Sequence, residues 1–278
     1  MPINKFTAHN ILLNNGKKTL DDNVILLGES AVWKSIESSL NLFVPHTKEE
    51  RSRLRVVDLG CLEGGYAVEF ARMGFDTLGI EVREENISKC NYVKSNLDLP
   101  NLKFVKDDVR NIASYGKFDI VLCYGLLYHL NDPIDFLTKV SNCNNKLIFL
   151  NTHFAPELDL RYNLGFLNNY FIAPIQKRTG LFKFEENFRL SRLQSNEGYK
   201  GRWRKEWRKG ASLIKREKGL WSSYDNDKSF WLIKKDLTKA LHSAKYDHVF
   251  EQFNFTGDIL PDNYTDFYKR SMFVAVKQ

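Results

Sequence analysis

Proline and glycine are scarce in this sequence, seven and sixteen in 278 residues, and cysteine is scarcer still at four. The first shortage excludes collagenous, low-complexity and linker-rich chains. The second excludes a disulfide framework. Cys61, Cys90, Cys123 and Cys143 are widely spaced, and three of them lie in segments that read as regular structure. Small buried thiols in a reduced, cytoplasmic protein are therefore expected. Long apolar runs are missing too, since the longest, Ile120 to Tyr128, is about half of what a spanning helix needs. No membrane span is expected. The start, MPINKFTAHN, lacks a basic stretch followed by an apolar block, so no secretory signal is expected either. What is present, 43% hydrophobic, 13% aromatic and 27% charged residues, describes an ordinary folded chain. At roughly 150 residues per domain this is one large domain, or one domain carrying an insertion.

The formal charge of +7 sits in one place, because nine bases face two acids between Lys200 and Lys218 and the rest of the chain sums to neutral. A generally basic, nucleic-acid-coating surface does not follow. The six histidines are scattered, with no cysteine or carboxylate at ligand spacing, so no metal is expected.

From Leu54 onward, short β-branched runs alternate with helical periodicity, as in βαβ units. Strands are expected at 54–60, 76–82, 102–108, 118–126 and 146–153. Helices are expected from Gly65 to Met73, from about Glu84 to Ser95, and from Ile134 to Val140 after Asp132-Pro133. Ser229 to Lys245 reads as a helix, and 248–255 and 271–278 as two further strands. The fold class is thus α/β, a Rossmann-like, seven-stranded, mostly parallel sheet with an antiparallel last strand and helices on both faces. Residues 1–50, with an amphipathic helix from Glu29 to Phe43, are expected to form a cap or lid. Residues 51–153 and 229–278 form the sheet domain, and 154–228 an insertion after the fifth strand.

The stretch VVDLGCLEGGYAVEFARMG carries the most chemistry. A strand ending in Asp58 that turns through Gly60 and Gly64 into a helix brings backbone N–H groups to the crevice at the carboxyl end of the sheet. Glu81, ending the next strand, stands where a carboxylate can accept two ribose hydroxyls. Asp108, after the third strand, can accept from an adenine amino group. Together these features describe an adenosine. A dinucleotide fold wants GxGxxG, and the second of those glycine positions is Leu62 here. Glu63 reads as a surface residue of the loop.

Quoted in order, DLGCLEGG, GIE, KDDVRN and FDIVLCYGLLYHLNDP resemble the signatures of class I S-adenosylmethionine-dependent methyltransferases. The GLLYHLNDP stretch is similar to a subgroup that includes enzymes of small molecules and tRNA wobble-uridine carboxymethyl-transfer enzymes. The resemblance implies S-adenosyl-L-methionine as cofactor. On it, Asp58, Gly60, Cys61 and Gly64 shape the loop under the methionine part, Glu81 and Val82 hold the ribose, and Asp108 and Val109 hold the adenine. Cys123, Tyr124 and Gly125 would flank the sulfonium. The usual middle glycine of the family's loop is Leu62 in this chain.

Methyl transfer from a sulfonium needs alignment, exclusion of water and sometimes a base. His129 and Tyr128 are the first candidates for that work and His153 the second. The insertion interleaves bases with aromatics, so Tyr199, Arg202 and Trp203, with Trp207 four further on, read as a helical stripe that covers and binds an acceptor. The expected activity is methyl transfer to an O or N of a small anionic acceptor. The alternatives are an RNA-modifying methyltransferase using the basic 200–218 segment, a non-catalytic adenosine-binding protein, or an NAD oxidoreductase.

Overall fold

Apolar residues at consecutive positions, not alternating ones, mark the central strands, and the computed structural model shows why. It describes residues 5–158, 190–252 and 269–278. Strands β1 (Arg55–Leu59), β2 (Asp76–Glu81), β3 (Leu102–Lys106), β4 (Phe118–Tyr124) and β5 (Asn144–His153) run parallel. With β9 (His248–Gln252) and β10 (Arg270–Val276) they form a seven-stranded sheet in the order β3-β2-β1-β4-β5-β10-β9. β10 is antiparallel to both of its neighbours. Side chains alternate across a strand, so each strand feeds two cores. Val57, Val121, Cys123, Ile148 and Phe273 meet α5 (Pro133–Asn142) and α7 (Lys234–Ser243) on one face. Val56, Ile120, Leu122, Phe149 and Val274 meet α1 (Ala31–Phe43) and α3 (Gly65–Arg72) on the other. The short α2 (Lys48–Arg51) leads into β1, α4 (Glu84–Ser95) joins β2 to β3, and α6 (Leu213–Lys218) lies in the insertion.

The helix α1 is therefore a layer of the sheet domain. Ser30 caps it by accepting from the Trp33 amide at 3.2 Å, worth about 1 kcal/mol. It buries Trp33, Ile36 and Leu40, each worth about 1.5–3 kcal/mol. The parts of the N-terminal region that reach the crevice are the stretch at Ala8 and His9, and Leu27.

Two expectations for the second half are corrected. Residues 199–205 form a strand, β7 (Tyr199–Lys205), between β6 (Gln194–Asn196) and β8 (Lys228–Leu232) in a separate antiparallel sheet. A spacing of four returns to the same face in a strand as well as in a helix, so the aromatic stripe could not decide between them. The decisive signal was Glu197-Gly198, with φ of +52° and +85°, a hairpin turn of the kind that joins two strands. The helix read from Ser229 begins later, because Ser229 to Leu232 belong to β8, which pairs with β7 through Gly201–Leu232 and Trp203–Phe230. Phe230, Trp231, Leu232 and Ile233 are all buried, a solid apolar run that fits neither a one-sided helix nor an alternating strand. The strand expected at 248–255, β9, ends its described length at Gln252, and the rest of 248–255 lies outside the described residues, as do 159–189 of the insertion. No helix among the described residues is long and apolar enough to cross a membrane.

Candidate active site

The strand order reverses between β1 and β4, which opens a crevice at their carboxyl ends. A cavity of about 360 Å³ lies there. The chain makes its loop with three left-handed residues, Gly60 (φ +71°), Leu62 (φ +52°) and Gly64 (φ +81°). At Gly64 only glycine fits, since a Cβ would lie 2.6 Å from Phe104 Cζ. Leu62 costs about 1–2 kcal/mol in this conformation, and a specific contact offsets it: its amide donates to Glu81 Oε2 at 2.9 Å. Glu81 Oε1 accepts from the Arg83 amide at 2.9 Å. Burial raises the Glu81 carboxyl above its usual range, against the pull of the Arg83 and Leu62 amides.

Asp58 lies on the same wall, with Oδ2 buried and without a hydrogen-bond partner. Burial pushes its carboxyl up to about 7. Asp108 caps the 3-10 helix Val109–Tyr115 by accepting from the Arg110 amide. It also takes the Arg110 guanidinium on both oxygens, at 2.9 and 2.6 Å. Burial alone would raise the Asp108 carboxyl, but Arg110 holds it below its ordinary range. Arg110 bonds Asp225 as well. Arg83, itself buried, donates to the carbonyls of Gly219 and Ser222 at 3.0 and 2.7 Å. These two arginines fasten residues 220–225 of the insertion over the crevice, where they form its outer wall.

The structure brings Asp58, Gly60, Cys61, Glu81, Val82, Asp108, Val109, Tyr124, Gly125, Tyr128 and His129 to one cavity. Other expected residues stand apart from it. Gly64 shapes the turn from behind. Cys123 points into the opposite core, with Phe136 and Leu137, because alternation along β4 sends it away from the face that Tyr124 occupies. His153 is stacked on Trp231 at 4.8 Å and meets Tyr128 edge-on at 4.7 Å, which sets it behind the wall. Tyr199 bonds Ser243, and Trp203 packs edge-on against Phe230. Arg202 is buried and donates to the carbonyls of Pro156, Ser191 and Glu157. None of these three lines the cavity, because a hairpin strand packed on its own sheet has no face left for the crevice.

Glu63 is corrected as well. It is fully buried, accepts the amides of Thr7, Ala8 and His9 at 2.8–3.0 Å, and pairs with buried Lys89 at 3.0 Å. This clamp brings His9 to the cavity, where its Nδ1 accepts from the Gly65 amide at 3.0 Å. Burial lowers His9 to about 4, so the ring is neutral there.

Sequence reasoning also missed Tyr66, Arg83, Arg110 and Arg270, which complete the wall. Arg270 begins β10, bonds Asn151 at 2.6 Å and lies over the rings of Tyr124 and Tyr128 at 5.3 and 5.7 Å. Only the passage from Lys269-Arg270 into an apolar strand could have marked it. Burial raises the cavity-lining Cys61 thiol well above its ordinary value, which favours the neutral thiol there. Among the described residues no cluster of His, Cys, Asp and Glu could hold a metal ion.

Residues 50–164 match the model of a family described as a methyltransferase domain. With the sheet order and the crevice, that match marks residues 50–164 as a methyltransferase domain on a Rossmann-like sheet. Among curated relatives, the chain is 32% identical over 113 residues to a tRNA U34 carboxymethyltransferase of Campylobacter fetus, covering 37% of this chain and 38% of the relative. It is 28% identical over 193 residues to the tRNA U34 carboxymethyltransferase of Campylobacter jejuni strain RM1221, covering 62% and 63%. A ubiquinone biosynthesis O-methyltransferase of Acinetobacter baylyi is 29% identical over 85 residues, covering 30% and 36%. The chain spans less than two thirds of the length of each of these relatives. Its fold is that of the N-terminal domain of EvdMO1, solved in the presence of SAH and D-fucose, with a TM-score of 0.62 at 20% identity over 99% of this chain and 91% of that one.

Proposed function

We propose that this chain transfers a methyl group from S-adenosylmethionine to an O or N of a small anionic acceptor. The observation that carries the reading is Asp58 Oδ2, a buried carboxylate oxygen with no partner, on the same cavity wall as Glu81. A buried acceptor of that kind fits a cation, and the ammonium of the cofactor's methionine part is one. Glu81 spends one acceptor site per oxygen on the loop and keeps the others for two ribose hydroxyls. Asp108 keeps a site on Oδ2 for the adenine amino group, beside Val109. When bound, S-adenosylmethionine supplies a methyl group already activated on a sulfonium. Tyr124 and Tyr128 exclude water from the transfer end, Arg270 binds the acceptor's negative charge, and His129 takes its proton.

A second reading is favoured by the basic segment, whose Lys200, Lys205, Arg208, Lys209, Lys215 and Lys218 are exposed. That reading is carboxymethyl transfer to RNA from a carboxymethyl-sulfonium form of the same cofactor, with Arg270 facing the transferred carboxylate. Calorimetric titration with S-adenosylhomocysteine and NAD tests the cofactor, and preference for NAD ends both readings. Titration with tRNA separates them, since binding that falls steeply with salt selects the second.

Asp58 makes the cofactor reading pH-dependent. If its ionised form receives the ammonium, affinity for S-adenosylhomocysteine is expected to rise about tenfold from pH 6 to pH 8, as a carboxyl near 7 deprotonates. Asp58→Asn should flatten that profile. The apo protein changes in the opposite sense. Its folded state holds a proton that the unfolded chain releases, so this group's contribution to stability is lost as pH rises from 3.8 towards 7. An affinity independent of pH between about 6 and 8 refutes the assignment.

A further inference from the structure

We propose that Glu206 is the positioning residue for His129, fixing the ring so that Nε2 is the atom that accepts the acceptor's proton; this rests on the methyl-transfer reading. Glu206 follows β7 in the insertion, 77 positions from His129 in the chain, and its side chain is 1% exposed. It lies within hydrogen-bond reach of four donors from separate places. Oε1 meets His129 Nδ1 at 3.3 Å, Ser229 Oγ at 2.7 Å and Arg204 at 3.4 Å, and Oε2 meets the Ser223 amide at 3.1 Å. Burial alone would raise this carboxyl, but the contacts from His129 and Arg204 hold it below its ordinary range, so it is a carboxylate.

A carboxylate only accepts hydrogen bonds, and this settles the tautomer of its partner. His129 Nδ1 must carry the hydrogen, and in the neutral ring Nε2 then carries the lone pair. The ring lines the cavity, and among the described residues Nε2 has no hydrogen-bond partner. During transfer, the new C–O or C–N bond forms as the S–C bond breaks with its electron pair staying on sulfur. The acceptor's proton passes to Nε2. The imidazolium so formed lies against the Glu206 carboxylate, which stabilises its charge, while Arg204 on the same oxygen limits how far that stabilisation goes. The Ser223 contact adds a second role. Ser223 belongs to the outer wall at 220–225, so one carboxylate holds both the base and the wall that faces it.

The test is a long-range ¹H–¹⁵N spectrum of the uniformly labelled full chain, with the His129 signals identified by their loss in His129→Gln. In the wild type with a neutral ring, the Nδ1–H tautomer is expected. In Glu206→Ala the ratio of Nδ1–H to Nε2–H should fall by about tenfold or more, the equivalent of one charge-assisted hydrogen bond. An Nε2–H ring in the wild type overturns the proposal even if the variant does not fold, and so does an unchanged ratio in a folded Glu206→Ala. Wild-type titration with S-adenosylhomocysteine keeps the two readings apart. Absence of binding with an Nδ1–H ring sinks the methyltransferase reading and, with it, the catalytic role of Nε2. Binding with an Nε2–H ring sinks the role of Glu206 alone.

Discussion

Glu81→Ala is expected to weaken S-adenosylhomocysteine binding by about tenfold to a thousandfold, as two charge-assisted hydrogen bonds to the ribose would require. From sequence alone, the same substitution should leave the thermal midpoint of the apo protein nearly unchanged. The structure changes that second half. Both carboxylate oxygens already accept backbone amides, of Leu62 and Arg83, in a side chain that is almost wholly buried. Alanine leaves two amides without an acceptor, at about 1–3 kcal/mol each, and frees Leu62 from the contact that offsets its left-handed backbone. A fall of at least about 4 °C in the apo midpoint is expected, taking about 2 °C per kcal/mol for a chain of this size. Calorimetric titration and differential scanning calorimetry check the two effects separately. Unchanged affinity in a folded variant would remove Glu81 from the binding site.

Glu63→Ala should produce a large loss of stability, about 3–5 kcal/mol, the usual consequence of breaking a buried ion pair, because among the described residues the one carboxylate left to Lys89 is Glu85, at 3.4 Å and 30% exposed. Lys89 is 1% exposed and Glu63 is fully buried, so water cannot compensate either charge. Three amides of the N-terminal stretch, at Thr7, Ala8 and His9, lose their acceptor in the same step. Burial would raise the Glu63 carboxyl, but these amides and Lys89 together hold it below its ordinary range. Urea denaturation checks the magnitude. The double variant Glu63→Gln with Lys89→Met, which removes both charges, should recover part of the loss. A single variant within about 1 kcal/mol of the wild type, by the same scale, would mean that the clamp contributes little.

The parallel half of the sheet was legible because both of its faces are covered, which writes each central strand as a short solid apolar run between turn residues. Asp58, Glu81 and Asp108 were found for a related reason: a crevice in such a sheet lies at the strand ends, so position along the chain is enough. Glu63 was misread because the loop places it beside a lysine 26 positions away, and nothing in the local sequence shows that pairing. The insertion was misread where two periods coincide, at Tyr199, Trp203 and Trp207. Arg83 and Arg110 were overlooked because their partners are in large part carbonyls and a carboxylate of the insertion, contacts that composition does not encode. Arg270 and Glu206 reach the crevice from distant parts of the chain, and only the fold makes them neighbours.

β10 is not an edge of the sheet but an interior strand, held by β5 on one side and β9 on the other. Its bond from Arg270 to Asn151 spans 119 positions, whereas β1, β2 and β3 are joined by single helices. Closing a loop of that length is slow relative to forming neighbouring βαβ units. During refolding the glycine loop should therefore be shaped early, while Arg270, the cation of the cavity wall beside Tyr124 and Tyr128, arrives with the last pairing. Competence to receive a negatively charged molecule should appear later in time than the native-like helical signal, and stopped-flow measurement of the two would show the delay.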